Sequence, residues 1–241
     1  MHIFFSDAHI RNSESERARI LIRFLNEYGP TLDSLFILGD LFEFWFEYKV
    51  VFPKHYFKVL AILYSLIQQG KKIYYILGNH EVLAGDFLKN FGFIVYEREA
   101  VLSLGGKRIL LAHGHRVDKR LWTLVWEAIL KSKLNHNLYQ MVHPDLGIYI
   151  AQAIAFFSRK QRRSPTLVKN LERYAVTQFG NFDIVILAHS HIPTLKVFNN
   201  NKYYINTGDW VDNFSYLVID EKMISLNYYN QRNKNLVLTL D

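Results

Sequence analysis

Half of the 241 residues are hydrophobic and 21% are charged, which excludes a disordered chain and suits one large domain with an insertion, at roughly 150 residues per domain. The absence of cysteine excludes a disulfide framework, a thiolate metal site and a cysteine nucleophile. The formal charge of +7 is unevenly placed, because residues 116–173 hold eleven basic and four acidic side chains and so carry all of it.

The first apolar run, His2 to Phe5, predicts a strand ending at Ser6-Asp7-Ala8-His9. A helix is expected next. Ser13 is its N-cap, Glu16 completes a capping box, and Ala18, Leu21, Ile22 and Leu25 recur at helical spacing up to the stop at Gly29-Pro30. Residues 34–38 predict a strand ending at Gly39-Asp40, residues 53–69 a helix, and residues 73–77 a strand ending at Gly78-Asn79-His80-Glu81. Fully apolar strands alternating with helices imply parallel strands covered on both faces. Residues 101–104 and 108–112 flank Gly105-Gly106 and predict a hairpin ending at His113-Gly114-His115. Residues 116–178 read as a helical, basic insertion. Strands are then expected at 183–187, ending at Ala188-His189-Ser190-His191, and at 194–198, 203–205, 215–219 and 224–229. The N-terminus lacks the basic start and apolar core of a signal peptide, and the longest uncharged apolar stretch, residues 146–157, is too short to cross a bilayer. A soluble cytoplasmic protein is expected, or one held peripherally on a membrane surface.

Asp7, His9, Asp40, Asn79, His113, His189 and His191 all fall just past the end of a predicted strand, the edge where open α/β sheets bind ligands. Asp and His two residues apart point the same way from an extended segment. Oxygen and imidazole donors without sulfur suit Mn, Fe, Zn or Mg. Seven donors exceed one ion and fit two ions about 3.5–4 Å apart that share Asp40.

The ordered motifs D-x-H, G-D, G-N-H-E, H-G-H and H-x-H resemble those of the calcineurin-like metallophosphoesterases and span the chain outside the insertion. The resemblance implies a four-layer αββα sandwich of two mixed sheets with a dinuclear centre at one edge, all within a single domain over 1–241. It implies that Asp7, His9, Asp40 and His191 hold one metal and that Asp40, Asn79, His113 and His189 hold the other. It places His80, with Asp40 and Asn79, at the catalytic centre, facing the scissile phosphate. Manganese is the foremost ion expected.

The segment Gly39-Asp40-Leu41-Phe42-Glu43-Phe44-Trp45 and the insertion after His115 are similar to those of UDP-2,3-diacylglucosamine pyrophosphatases and their near relatives, and Asn206-Thr207-Gly208-Asp209-Trp210 resembles the relatives more than the best-known members. That subgroup implies hydrolysis to UMP and 2,3-diacylglucosamine 1-phosphate, a step of lipid A biosynthesis, beneath a helical lid at 116–178 on the cytoplasmic face of the inner membrane. Its best-known members have G-N-R-D where this chain has His80-Glu81, and H-G-D where it has His115, so phosphate contacts made by that arginine do not transfer.

The insertion is both greasy and basic. Leu121, Leu124, Val125, Ala128 and Ile129 form one helical stripe flanked by Trp122, Trp126 and Leu130, an arc wider than the roughly 100° needed to cover one core. The surplus apolar surface suits an acyl chain, a membrane interface or another subunit. Trp122 and Trp126 are expected at the lipid, and Arg159, Lys160, Arg162 and Arg163 at a diphosphate or anionic headgroups. A nuclease or cyclic-nucleotide phosphodiesterase is the alternative. Nucleic acid is the less expected partner, because the insertion's aromatics cluster with aliphatics rather than interleaving with basic residues. A non-catalytic scaffold of the same fold would be expected to lack some of the seven donors.

Overall fold

The computed structural model describes residues 1–48, 51–83, 86–117, 129, 132–149, 164–220 and 222–239. Strands β1 (His2–Phe5), β2 (Ser34–Ile37), β4 (Lys72–Ile76) and β6 (Ile94–Tyr96) are parallel neighbours; β12 (Ser215–Ile219), β13 (Met223–Tyr228) and β14 (Leu236–Thr239) extend the sheet antiparallel from β1. A second sheet joins β7 (Glu99–Leu104), β8 (Lys107–Ala112), β9 (Ile184–Leu187), β11 (Lys202–Asn206) and β10 (Thr194–Phe198) in that spatial order. A short parallel pair, β3 (Trp45–Phe46) with β5 (Glu81–Leu83), bridges two loops at the sheet edge.

Strand alternation divides the apolar residues into three cores. Ile3, Phe5, Leu35 and Ile37 face helices α1 (Glu16–Tyr28) and α2 (Phe57–Gln68), while Phe4, Phe36, Ile76, Ile109, Leu111, Ile184 and Ile186 fill the space between the sheets. The rings of Phe4, Phe36 and Tyr74, in register on three adjacent strands, stack at 4.4 and 4.5 Å. On the far side, Leu110, Val185 and Leu187 meet Leu167, Leu171 and Ala175 of the helix Pro165–Gln178. The layers are thus helices, sheet, sheet, helix, as the family resemblance implied. The last fourteen residues of the expected lid serve as this outer layer.

Two details differ from the sequence expectations. Helix α1 is capped by Ser15, whose hydroxyl accepts from Ala18 N at 3.3 Å, and not by Ser13. Ser13 instead ties the β1 loop to the start of α2: its N–H donates to His55 O at 2.7 Å and its hydroxyl accepts from Lys58 N at 3.2 Å. The short elements β3, β5, β6 and β14, and the helix α3 (Phe87–Phe91), are additional; they are too short to show a period in the sequence. No helix among the described residues is long and apolar enough to cross a membrane.

Candidate metal centre

The edges of the two sheets meet where β1, β2, β4, β8 and β9 end. Asp7, His9, Asp40, Asn79 and His80 come from the seven-stranded sheet; His113, His189 and His191 come from the five-stranded one. The site therefore exists only once the sandwich has closed.

The donors converge by a different route from the one their spacing suggested. Asp7, His9, Asp40, His189 and His191 are not extended; their φ angles are 51°, 43°, 53°, 68° and 59°. Left-handed backbone at such residues costs about 1–3 kcal/mol each and persists where the surroundings over-determine it. One surrounding contact is the pairing of Gly39 with Gly78. A Cβ on Gly39, at φ +82°, would lie 2.7 Å from Gly78 Cα and 2.8 Å from His113 Nδ1; one on Gly78 would lie 2.2 Å from Asp40 Oδ1. The glycines of the G-D and G-N-H-E motifs thus let two loops touch and place Asp40 between them.

Ligating atoms gather in two groups centred on Asp7 and Asp40. Asp7, His9 and His191 form one, and Asp40, His113 and His189 another. Asp7 Oδ1 lies 3.3 Å from His191 Nε2 and 3.6 Å from His9 Nε2. Asp40 Oδ2 lies 3.5, 3.7 and 3.8 Å from Nε2 of His113, His9 and His80, so it touches both groups. Asn79 Oδ1 is 3.2 Å from His113 Nε2. His189 and His191 go to different groups. A third gathering, of His9, Glu43 and His80, adjoins the first.

Supporting contacts aim these donors. His113 Nδ1–H donates to Leu38 O at 2.6 Å and His80 Nδ1–H to Glu43 O at 2.5 Å, because a carbonyl only accepts. His191 Nδ1 faces Asp209 Oδ2 at 3.1 Å. Each arrangement leaves Nε2 toward the carboxylates, the orientation that metal-ligating histidines take. Asp209 Oδ1 in turn accepts from the N–H groups of Val211, Asp212 and Asn213 at 3.3, 3.0 and 2.9 Å. Glu81 accepts from Asp40 N, Gly78 N and Tyr75 Oη at 2.9, 2.8 and 2.8 Å. The roles of Asp209 and Glu81 were not expected from the sequence. Their only signals were membership of Asn206-Thr207-Gly208-Asp209-Trp210 and of G-N-H-E.

The electrostatics suit cations. Asp7 and Asp40 are fully buried, and among the described residues their ion-pair partners are all histidines. Burial alone would raise both carboxyls. His191 and His113 beside Asp7, and His80 and His113 beside Asp40, outweigh it and hold both well below the usual carboxylate range. Burial would likewise lower His113, but Asp40 draws it up to about 9. Burial, then the positive charge of His113 and His115, holds His189 well below the ordinary histidine range, in the neutral form a ligand needs. Asp7 Oδ1, Asp40 Oδ2 and His191 Nε2 are buried and make no hydrogen bond among the described residues. Buried polar atoms normally have a partner, and these are oxygen and imidazole donors. The residues present fit divalent metal ions.

Asp209→Asn keeps an oxygen for the backbone donors but turns an N–H toward His191 Nδ1, forcing the proton onto Nε2. It is expected to lower divalent-metal affinity by about 10–100-fold in a metal titration. An unchanged isotherm would remove His191 from the ligand set.

Trp122, Trp126, Arg159, Lys160, Arg162 and Arg163 lie outside the described residues. The helix Lys133–Gln140, inside the expected lid, sets the Tyr139 ring 3.8 Å from Phe46 and leaves Leu134, Leu138 and the following Met141 exposed.

A family model described as calcineurin-like phosphoesterase matches residues 3–193. A UDP-2,3-diacylglucosamine hydrolase of Aeromonas hydrophila subsp. hydrophila is 37% identical over 237 residues, covering 90% of this chain and 93% of that protein. One of Porphyromonas gingivalis is 27% identical over 244 residues, covering 90% and 93%. The crystal structure of a dimetal phosphatase from Danio rerio shares the fold, with a TM-score of 0.51 at 10% identity over 100% of this chain and 98% of that one. With the motif order, the strand-end geometry and the family match in agreement, this chain is a metal-dependent hydrolase and belongs to the calcineurin-like phosphoesterases.

Proposed function

We propose that this protein hydrolyses the pyrophosphate bond of UDP-2,3-diacylglucosamine, yielding UMP and 2,3-diacylglucosamine 1-phosphate, with two divalent ions. Manganese is the first ion to test. The observation that carries the hydrolytic chemistry is the pair of buried carboxylates, Asp7 and Asp40, whose outer oxygens, among the described residues, make no hydrogen bond and pair only with histidines. The relatives named for this substrate along nearly the whole chain support its identity.

Asp7, His9, Asp40 and His191 would hold one ion, and Asp40, Asn79, His113 and His189 the other. When bound, such ions lower the pKa of a water and neutralise charge growing on a phosphate during in-line displacement. The protein's own part is to keep the donors in the ligating form. Leu38 O and Asp209 fix the Nδ1 side of His113 and His191, and burial keeps their Nε2 atoms dry. His80, anchored through Nδ1, presents Nε2 as the position at which a proton is exchanged with the substrate.

The insertion up to residue 164, ahead of the helix that covers the second sheet, would act as a lid, take the acyl chains and rest on the inner-membrane surface. Exposed Leu134, Leu138, Met141, Leu146 and Tyr149 on its described part support this, because isolated soluble surfaces rarely gather such residues. Trp122 and Trp126 would line the acyl site, and Arg159, Lys160, Arg162 and Arg163 would meet anionic headgroups or phosphate.

A hydrolysis panel tests the reading. It compares UDP-2,3-diacylglucosamine of several acyl lengths, a generic diester, a cyclic nucleotide and single-stranded DNA, with manganese present. Each buried methylene is worth about 0.8 kcal/mol, so removing several carbons per chain is expected to cut kcat/KM by orders of magnitude. A flat profile below the aggregation concentration, with faster cleavage of the cyclic nucleotide or DNA, would overturn it.

A further inference from the structure

Resting on the diphosphate substrate proposed above, we infer that its nucleoside monophosphate half lies in a cleft between the β1 loop, the start of α1 and residues 211–214. In strand order this cleft falls on the β12 side of β1, whereas the described part of the insertion meets the loop after β2. It encloses about 660 Å³, within the range that small-molecule sites occupy.

His9 lies at its inner end, and the same ring belongs to the Asp7–His9–His191 group, so an occupant of the cleft touches the hydrolytic centre. Beside it stands Arg17, half-buried and held by donation from Nη1 to His9 O at 3.2 Å. A guanidinium fixed in this way is a preset fork for phosphate oxygens. Arg11, 3.6 Å from Glu43 Oε2, adds a second cation at the entrance.

The outer cleft has a different chemistry. Ile20, Val211 and Phe214 supply apolar wall, and the Phe214 ring is buttressed edge-on by Trp210 at 6.0 Å. Glu16 and Asp212 are exposed at the mouth. Carboxylates there oppose a phosphate but accept hydrogen bonds from ribose hydroxyls. The charge order therefore orients the ligand, with phosphate inward at Arg17, ribose at the acidic rim and base against Phe214.

Strand order fixes the two sides. The ends of β12, β1, β2 and β4 follow one another across the sheet. The cleft lies between the loop after β1 and the loop before β12. The insertion's Tyr139 and Gln140 meet Phe46 and Glu47, in the loop after β2. Asp7 and Asp40, ending β1 and β2, stand between. A diphosphate lying across them sends its nucleoside one way and its lipid the other. Asp209 ties the arrangement together, since it orients His191 and also anchors the N–H groups of Val211 and Asp212 in the cleft wall.

The test is calorimetric titration of the full-length, manganese-loaded protein with UMP and, separately, with inorganic phosphate. Arg17→Gln is expected to raise the Kd for UMP by at least about tenfold, the value of a hydrogen bond to a charged group. Asp212→Ala, at an exposed position that spares folding, is expected to weaken UMP several-fold while phosphate binding stays within about twofold. UMP affinity within about twofold of wild type in both variants would overturn the assignment. Wild-type cleavage of UDP-2,3-diacylglucosamine separates the two ideas. Cleavage with unaltered UMP binding in the variants removes the cleft alone, and no cleavage removes the substrate.

Discussion

Asp40→Ala is expected to reduce hydrolysis by at least about 10³–10⁴-fold and to lower the metal content of the purified protein. Its Oδ2 faces Nε2 of His9, His80 and His113 within 3.8 Å, so one carboxylate borders both donor groups. Metal ions contribute several kcal/mol to stabilising charge in phosphoryl transfer, and each 1.36 kcal/mol is tenfold in rate. Removing the charge also leaves His113 buried without the foremost of the partners that raise its pKa. Asp40→Asn separates charge from structure, because the amide oxygen still accepts from His80 N, as Oδ1 does at 2.9 Å. The same loss is expected in both variants, read by elemental analysis beside an activity assay. Full activity in either, or in wild type after stringent chelation, would sink the two-metal reading.

His80→Ala is expected to cut kcat by about 10²–10⁴-fold, the usual contribution of a general acid–base group, with metal content nearly unchanged. The ring is buried at 3% exposure, donates through Nδ1 to Glu43 O, and turns Nε2 toward Asp40. That geometry sets Nε2 beside Asp40, the position the proposed proton exchange needs, without requiring it to ligate. The nearness of His9, Glu43 and His80 allows a competing outcome in which His80 binds metal. Elemental analysis decides between them: lost metal with a normal rate per remaining centre makes His80 a ligand, whereas full metal with a low rate makes it the proton carrier.

Several things were legible in the residues because they follow from local chemistry. Apolar runs closed by Asp, Asn or His mark strand ends, and the seven proposed donors do lie there. The alternation of apolar strands and helices led to the parallel core of β1, β2 and β4, since strands buried on both faces show no polar period. The charge of residues 116–173 is a count, independent of folding.

Other features depend on atoms far apart in the chain. Asp209 orients His191 from eighteen residues away, and Glu81 holds Asp40 across forty-one; no spacing rule connects them. The turns at Asp7, His9 and His191 are left-handed, which extended spacing does not predict, because the backbone is bent by contacts between loops of different strands. The cap at Ser15 won over Ser13 for a similar reason: Ser13 is claimed by α2, a tertiary partner. The order of residues alone thus shows which side chains with oxygen or imidazole atoms stand at the strand ends and which family the motifs match. How those side chains gather, which nitrogen each histidine presents and where a cleft opens beside them depend on two sheet edges meeting.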